Sequence, residues 1–251
     1  MLLLCDVGNT TTVVGLWDGD GVIRRWRVST DRERTADESR LLLRAMLAEQ
    51  DGEVTGGALS SVVPPRTIAW REAMEAVVDG PLVVVGPGMK TGIALQVDNP
   101  REVGADRVVN AIGAIEKYGA PVIVVDFGTA TTVDLVGEDG SYRGGAIAPG
   151  LEVSADALVT HTAALRRVEL IPPKSPVGRS TVEAIQSGLI YGYAGLVDGL
   201  VDRVMEVVGA RCPVVATGGL AETLRSHARR IQYVEPDLTL IGLAAVYRRN
   251  Q

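Results

Sequence analysis

The sequence predicts an α/β protein built as two related halves, each with a mixed sheet, and three observations predict it. The run Asp6-Val7-Gly8-Asn9-Thr10-Thr11-Thr12-Val13 returns as Asp126-Phe127-Gly128-Thr129-Ala130-Thr131-Thr132-Val133, with Asp, Gly, Thr, Thr and Val at one offset of 120 residues. Each copy lies between two short apolar runs and is followed by an Asp-Gly turn, Asp18-Gly19-Asp20-Gly21 in one case and Asp139-Gly140 in the other. The repeated unit therefore reads strand, Gly-bearing turn, strand, Asp-Gly turn, strand. Behind each hairpin the pattern changes to alternating strands and helices, the signature of α/β halves with mixed sheets. A chain of 251 residues has room for two domains, and the repeat favours 1–118 and 119–251. A duplicated hairpin of acid, glycine and hydroxyls implies polar turns presented to a common cleft, where a phosphate tail is gripped from both sides.

In the first half, strands over 1–5 and behind the Gly-bearing turn lead to a helix over 37–50, where Leu41, Leu42, Ala45 and Met46 recur at helical spacing. Thr35 or Asp37 caps it. A strand over 58–63, a helix over 67–78 and a buried strand over 82–85 follow. Residues 93–97 read as a strand and 101–118 as a helix. The second half repeats the opening with strands over 122–126, 130–136 and 142–148. Helices from 151 and over 181–208, a strand over 213–216, and helices over 220–227 and 236–247 complete the chain. The segment 172–178 carries three prolines and reads as a loop.

Composition narrows the function classes. The net charge of −6, without a lysine- or arginine-rich block, gives nucleic-acid binding little support. Any bound phosphate is then held by amides, hydroxyls and metal ions. The 29 glycines are about 12% of the chain against about 7% on average, and the excess falls in turns where backbone must approach something closely. No apolar run is long enough to span a membrane; the best candidate, over 189–208, carries Asp198, Asp202 and Arg203. Cys5 and Cys212 read as small buried residues, and the first apolar run is too short for a secretion signal. A cytoplasmic protein is expected.

Asp6 and Asp126 each end a strand before a glycine turn. A single Asp there is an ordinary turn former. Two in matching contexts favour carboxylates placed beside phosphate, which implies a bridging cation. Asn9, Thr10, Thr11, Thr131 and Thr132 add uncharged donors, although some of these threonines serve only as strand formers. Gly86-Pro87-Gly88-Met89-Lys90-Thr91 falls short of a P-loop, because Met89 replaces the glycine before the lysine and a strand-like run follows. Gly104-Ala105-Asp106-Arg107 sets an acid and a base together near a helix start. There Asp106 is either a helix-end acid or a proton acceptor for a hydroxyl, and Arg107 a solvated base or an anion partner. Gly144-Gly145-Ala146-Ile147-Ala148-Pro149-Gly150 and Thr217-Gly218-Gly219 each lead a strand into a helix whose first amides are free. His161 and His227 share no metal-ligand spacing and read as structural.

In order and combination, these motifs resemble the type III pantothenate kinase family from end to end. Asn99-Pro100 ahead of Gly104 to Arg107 belongs to the same match. The family lies in the acetate and sugar kinase/Hsp70/actin superfamily. The resemblance implies an α/β fold of duplicated actin-like ATPase (ribonuclease H-like) domains with mixed sheets and a central cleft. It implies ATP-dependent phosphorylation of pantothenate to 4'-phosphopantothenate, the first step towards coenzyme A. It places Asp6, Gly8, Asn9, Thr10, Thr11, Gly128, Thr129, Thr131 and Thr132 at the ATP phosphates, and Gly218 and Gly219 at the nucleoside. Asp6 would help hold Mg²⁺ and Asp126 a monovalent cation, K⁺ or NH₄⁺. Asp106 would be the general base and Arg107 the partner of the substrate carboxylate. Val97, Gly104, Ala105 and Thr181 would complete the pantothenate site. The resemblance further implies a homodimer, with the helix over 181–208 as a candidate interface.

Two positions depart from the family pattern: Val97 stands where many members carry a tyrosine, and Arg166 where a proline often follows Ala-Ala-Leu. The alternatives are a non-catalytic regulatory accessory protein, or a related kinase acting on another small hydroxyl substrate. The three motif aspartates favour catalysis, since a binding module has no need of all of them.

Overall fold

The structure is a computed structural model that describes residues 1–251 apart from 87, 88, 163, 164 and 210. It resolves into two compact units, Met1–Lys117 with Asp237–Gln251, and Tyr118–Pro236. In the first, β1 (Leu2–Val7), β2 (Thr11–Trp17) and β3 (Val22–Ser29) form an antiparallel meander. Helix α1 (Ala36–Leu47) leads to β4 (Gly56–Ser61), and α2 (Pro64–Glu75) to β5 (Leu82–Val84). The sheet order is β3-β2-β1-β4-β5, with β4 and β5 parallel to β1. A 3₁₀ turn (Pro100–Glu102) then precedes α3 (Ala105–Tyr118).

The second unit repeats this topology. Strands β6 (Val122–Phe127), β7 (Ala130–Val136) and β8 (Tyr142–Pro149) form its meander. Helices α4 (Leu151–Thr160) and α5 (Thr181–Val208) follow, then β9 (Val214–Gly218), α6 (Ala221–Arg225) and β10 (Tyr233–Val234). The sheet order is β10-β9-β6-β7-β8, with β9 parallel to β6 and β10 parallel to β9. The last helix, α7 (Leu238–Arg249), packs on β1 and β4 of the first unit. The boundary expected at 118/119 lies one residue from this division, but the final helix, which the sequence reading placed with the second half, belongs with the first.

Alternation along the central strands separates two faces of each sheet. Leu3, Cys5, Val7 and Leu59 face α1 and α2, where they bury Leu43, Trp70 and Met74. The other face receives α7 at glycines: a Cβ at Gly56 would run into the Tyr247 ring, and one at Gly15 into Leu240. Helices α3 and α7 meet the same way, since a Cβ at Gly113 would strike the Leu238 carbonyl and one at Gly242 the Val109 carbonyl. In the second unit Ile123, Val125, Phe127, Val133 and Leu135 pack against Ile190, Val197 and Val201 of α5.

Local chemistry sets the helix ends. Thr35 caps α1 in a reciprocal box with Glu38, whose carboxyl is held below its ordinary range by hydrogen bonds from the Thr35 amide and hydroxyl. Helix α2 begins three residues earlier than the sequence reading, because Pro64 and Pro65 occupy its first turn, where a missing N–H costs nothing. The helix read over 101–118 is interrupted instead: the 3₁₀ turn ends at Glu102 and α3 begins only at Ala105. Residues 93–97 form no strand, only a single bridge at Leu95. Of the near P-loop, Pro87 and Gly88 lie outside the described residues, as do Ala163 and Ala164 ahead of Arg166.

The repeat itself holds a correction. In the first hairpin Val7 pairs with Thr12, whereas in the second Phe127 pairs with Thr131. The second turn is one residue tighter, so Thr131 corresponds in space to Thr12, and Thr132 to Val13. The constant offset of 120 survives up to the glycine and in the third strands, but not in β2 and β7. Among the described residues no helix is long and apolar enough to cross a membrane.

Candidate active site

At the end of β1 the chain turns sharply. The Gly8 amide donates to the Thr11 carbonyl at 3.1 Å, and a Cβ on Gly8 would lie 2.9 Å from that same oxygen, so the turn closes only on glycine. The Thr30 amide donates to the Thr10 carbonyl at 2.8 Å, and the Thr12 and Thr30 hydroxyls pair at 2.8 Å, which ties the turn to the end of β3. Asn9, Thr10 and Thr11 are exposed at its tip, and Asp6 is half-buried at its root. Cys5, next to Asp6, points to the opposite face and into the core. Burial, reinforced by the Asp6 carboxylate, pushes its thiol well above the ordinary range, so it serves no nucleophilic role.

The acid–base pair stands in the same unit. Asn99 sets the 3₁₀ turn, its Oδ1 accepting from the Arg101 amide at 3.3 Å and its Nδ2 donating to Glu102 Oε1 at 2.6 Å. Asp106 Oδ1 accepts from the Arg107 amide at 2.7 Å, and a Cβ on Gly104 would sit 2.5 Å from that carboxylate oxygen. A larger residue at 104 would therefore push the Asp106 carboxylate out of this position. The same Cβ would reach Val62, whose amide donates to the Val7 carbonyl at 3.1 Å. Asp106 therefore lies beside the C-terminal ends of β1 and β4, the edge at which open α/β sheets take ligands. One turn further along α3, buried Asn110 accepts from the Thr239 hydroxyl at 2.6 Å and anchors that face of α3 to α7. Arg107 is half-buried beside Asp106.

The second turn is built more tightly. Gly128 donates to the Ala130 carbonyl at 3.1 Å, and Gly150 to the Thr129 carbonyl at 3.0 Å. A side chain at Gly150 would strike the Gly128 and Thr129 carbonyls. Gly218 has φ +94, and a Cβ there would stand 2.5 Å from the Phe127 carbonyl and 2.7 Å from Asp126 Oδ1. Glycines from two different crossovers thus close on the Asp126 turn, while nothing lies within 4 Å of a Cβ placed on Gly219. Asp126 is in register with Thr132 on β7 and Thr217 on β9. The Thr132 hydroxyl donates at 2.9 Å to Asp134, which Tyr142 also serves at 2.7 Å. The buried Thr131 looks instead into the α5 side of the sheet.

Sequence reasoning missed Tyr193. Its hydroxyl lies 2.8 Å from the Pro149 carbonyl and 3.2 Å from that of Gly150, fixing the start of α4, whose first turn has no side-chain cap. A lone tyrosine in an apolar helix gives no signal for this. The structure brings Asp6, Gly8, Asn9, Thr10, Thr11, Gly104, Ala105, Asp106 and Arg107 to one edge of the first sheet. It brings Asp126, Gly128, Thr129 and Gly218 to the matching edge of the second. Val97 is half-buried in the irregular stretch before the 3₁₀ turn, and Thr181 is the exposed first residue of α5, capped by Ser180. Among the described residues no group of three His, Cys, Asp or Glu side chains gathers as a ready metal cage.

The two neighbouring glycines yield a sharp contrast. Gly218→Ala should destabilise the fold by about 1–3 kcal/mol, through a positive φ and an overlap with backbone. Gly219→Ala should change stability by less than about 0.5 kcal/mol. Urea denaturation of the two variants measures both, and equal effects would contradict the geometry.

Comparison with known proteins agrees with this architecture. The family model for type III pantothenate kinase matches residues 2–203. A type III pantothenate kinase of Frankia alni is 50% identical over the full length of both chains. One from Streptomyces griseus is 49% identical, covering all of this chain and 98% of the relative. Among solved structures, the activator of 2-hydroxyisocaproyl-CoA dehydratase from Clostridium difficile, with bound ADPNP, superposes at a TM-score of 0.56 and 16% identity, covering 98% of this chain and 93% of the other. A ROK family glucokinase from Streptomyces griseus, in complex with glucose and AMPPNP, does so at 0.54 and 13%, covering 98% and 99%. The expected duplicated actin-like kinase fold is therefore the one observed. By its family match and by relatives of about half-identical sequence along its whole length, the chain belongs to the type III pantothenate kinase family.

Proposed function

We propose that this chain transfers the γ-phosphoryl group of ATP to the primary hydroxyl of pantothenate, giving 4'-phosphopantothenate, the opening reaction of coenzyme A synthesis. The observation that carries the site assignment is the placement of Asp106 beside the C-terminal ends of β1 and β4, within the same unit as the Asp6 turn. Phosphoryl transfer asks for positioning and charge neutralisation rather than covalent chemistry, and both turns are made for that.

In this reading the Asn9, Thr10 and Thr11 tip donates to phosphate oxygens. Asp6 supplies a carboxylate for Mg²⁺, which when bound with ATP neutralises charge on the phosphates. The donors suit that ion: a hard oxygen ligand at a strand end, with hydroxyls around it, matches a cation usually held by one or two carboxylates plus substrate phosphates. Asp126, set between the register positions of Thr132 and Thr217, supplies the oxygen environment of a monovalent cation, K⁺ or NH₄⁺. The open space at Gly219 and the close packing of Gly218 suit a nucleoside resting against backbone. Asp106 accepts the proton of the attacking hydroxyl and Arg107 pairs with the pantothenate carboxylate. Gly104 and Ala105 let the substrate approach the start of α3, with Val97 and Thr181 as further substrate contacts.

The protein works as a homodimer in the cytoplasm on this account. Along α5, Gly188, Gly192, Gly195 and Gly199 recur on one face with nothing within 4 Å of an added Cβ. A groove of about 360 Å³ runs there between Gly195, Gly199 and Leu200 of α5 and Ile147 of β8, which is 64% exposed. A face of small and apolar residues edged by Arg203 suits a second copy.

Asp106→Asn should lower turnover by ~10²-fold or more while leaving ATP affinity within about twofold. Unchanged pantothenate-dependent ADP release would remove Asp106 from the base role. Gly195→Arg, which crowds the α5 face, should convert a dimer into a monomer in sedimentation velocity; an unaltered sedimentation coefficient would place the interface elsewhere.

A further inference from the structure

Ser60 is a residue that neither the repeat nor any motif singles out. It is the fifth residue of β4, fully buried, and its hydroxyl makes no hydrogen bond. A buried hydroxyl without a partner costs roughly 1–3 kcal/mol, so a strand interior that keeps one calls for a reason. Its position supplies the reason. In the parallel pairing of β1 and β4, Ser60 is the direct Cα partner of Asp6. Cys5 and Leu59, the pair before them, both face the α1–α2 core. Alternation therefore puts the Asp6 and Ser60 side chains together on the opposite face.

The second unit repeats the arrangement with a different residue. Asp126 has Thr217 as its Cα partner on the parallel strand β9, again buried and again with the core-facing pair Val125 and Ala216 one step earlier. In both units, then, the aspartate that ends the central strand has a hydroxyl at its side from the parallel neighbour. The sequence hides this, because Ser60 and Thr217 sit in dissimilar runs, Gly56–Ser61 and Val214–Gly218.

We propose that Ser60 is the positioning residue of Asp6: in the nucleotide-bound enzyme its hydroxyl donates to one Asp6 carboxylate oxygen and holds the other towards Mg²⁺·ATP. The proposal rests on the reading of Asp6 as the Mg²⁺-side carboxylate. Such a bond is charge-assisted and shielded from water, which makes it a strong orienting contact. It gives the buried hydroxyl a use that packing alone does not.

The test compares Ser60→Ala, Ser60→Thr and Asp6→Asn by calorimetric titration with ATP, in the presence of Mg²⁺ and with Mg²⁺ chelated, alongside thermal unfolding. Ser60→Ala should keep or raise the melting temperature, because it removes an unpaired buried hydroxyl. It should weaken Mg²⁺·ATP binding about tenfold and leave binding of metal-free ATP unchanged. Ser60→Thr, which installs the residue found at position 217, should restore most of the Mg²⁺-dependent affinity. Mg²⁺·ATP binding that is unchanged in Ser60→Ala but weakened in Asp6→Asn overturns the role of Ser60 alone. Binding unchanged in Asp6→Asn overturns the reading of Asp6, and with it the proposal. Equal loss with and without Mg²⁺ in Ser60→Ala overturns it too, since that marks a general distortion of the strand.

Discussion

Each sheet of this protein is organised by one central strand with an antiparallel neighbour on one side and a parallel neighbour on the other. Where such a strand ends, the hairpin partner begins and the parallel partner stops, so the chain turns there on short local hydrogen bonds, Gly8 to the Thr11 carbonyl in one unit and Gly128 to the Ala130 carbonyl in the other. An aspartate stands at that point, Asp6 in one sheet and Asp126 in the other, with the glycine turn on one side and a hydroxyl-bearing register partner, Ser60 or Thr217, on the parallel strand. The remaining features follow from that constraint. Glycine is needed where another segment closes on the strand end, as Gly218 and Gly150 do on the backbone of the Asp126 turn. Helices α3 and α7 meet through glycines, which brings α3 close enough to set Asp106 beside the end of β1.

Duplication accounts for the shape of each half, and divergence for the difference between their turns. The first turn is longer by one residue and carries Asn9, Thr10 and Thr11 at an exposed tip. The second is tighter, flanked by Gly150 and Gly218 and backed by the Asp134, Thr132 and Tyr142 network. A loose, donor-rich tip suits phosphate oxygens that move during transfer. A closed, oxygen-rich turn suits a cation that stays in place.

Much of this was legible in the sequence because the informative signals are local. The hairpins were read from short apolar runs on either side of a glycine turn, and the start of the first helix from Thr35 or Asp37, of which the structure selects Thr35. What escaped was set by pairing across the sheet. The repeated letters Asp-x-Gly-x-x-Thr-Thr-Val align at one offset, yet a one-residue difference in turn length puts Thr131 into the core and Thr132 beside Asp126. No local pattern reports a register shift of this kind. Ser60 and Tyr193 escaped for the same reason, since each acts on a residue far away in sequence. The run 93–97 had the alternation of a strand but found no neighbour beyond one bridge, so its pattern was never realised as a ladder. The attachment of α7 to the first unit was hidden because the apolar run of a helix does not name the sheet it covers.

The central claim is that the two strand-end aspartates divide the work, one carboxylate for the divalent cation and nucleotide, the other for a monovalent cation, in a kinase that acts on pantothenate. ADP release with and without pantothenate, in K⁺ and in Na⁺ buffers with Mg²⁺ present, tests it most directly, with Asp126→Asn run in parallel. The account predicts turnover that requires pantothenate, rises at least tenfold in K⁺ over Na⁺, and loses that preference in Asp126→Asn. Pantothenate-dependent turnover that is equal in the two salts would contradict the division of roles, and turnover independent of pantothenate would contradict the activity itself.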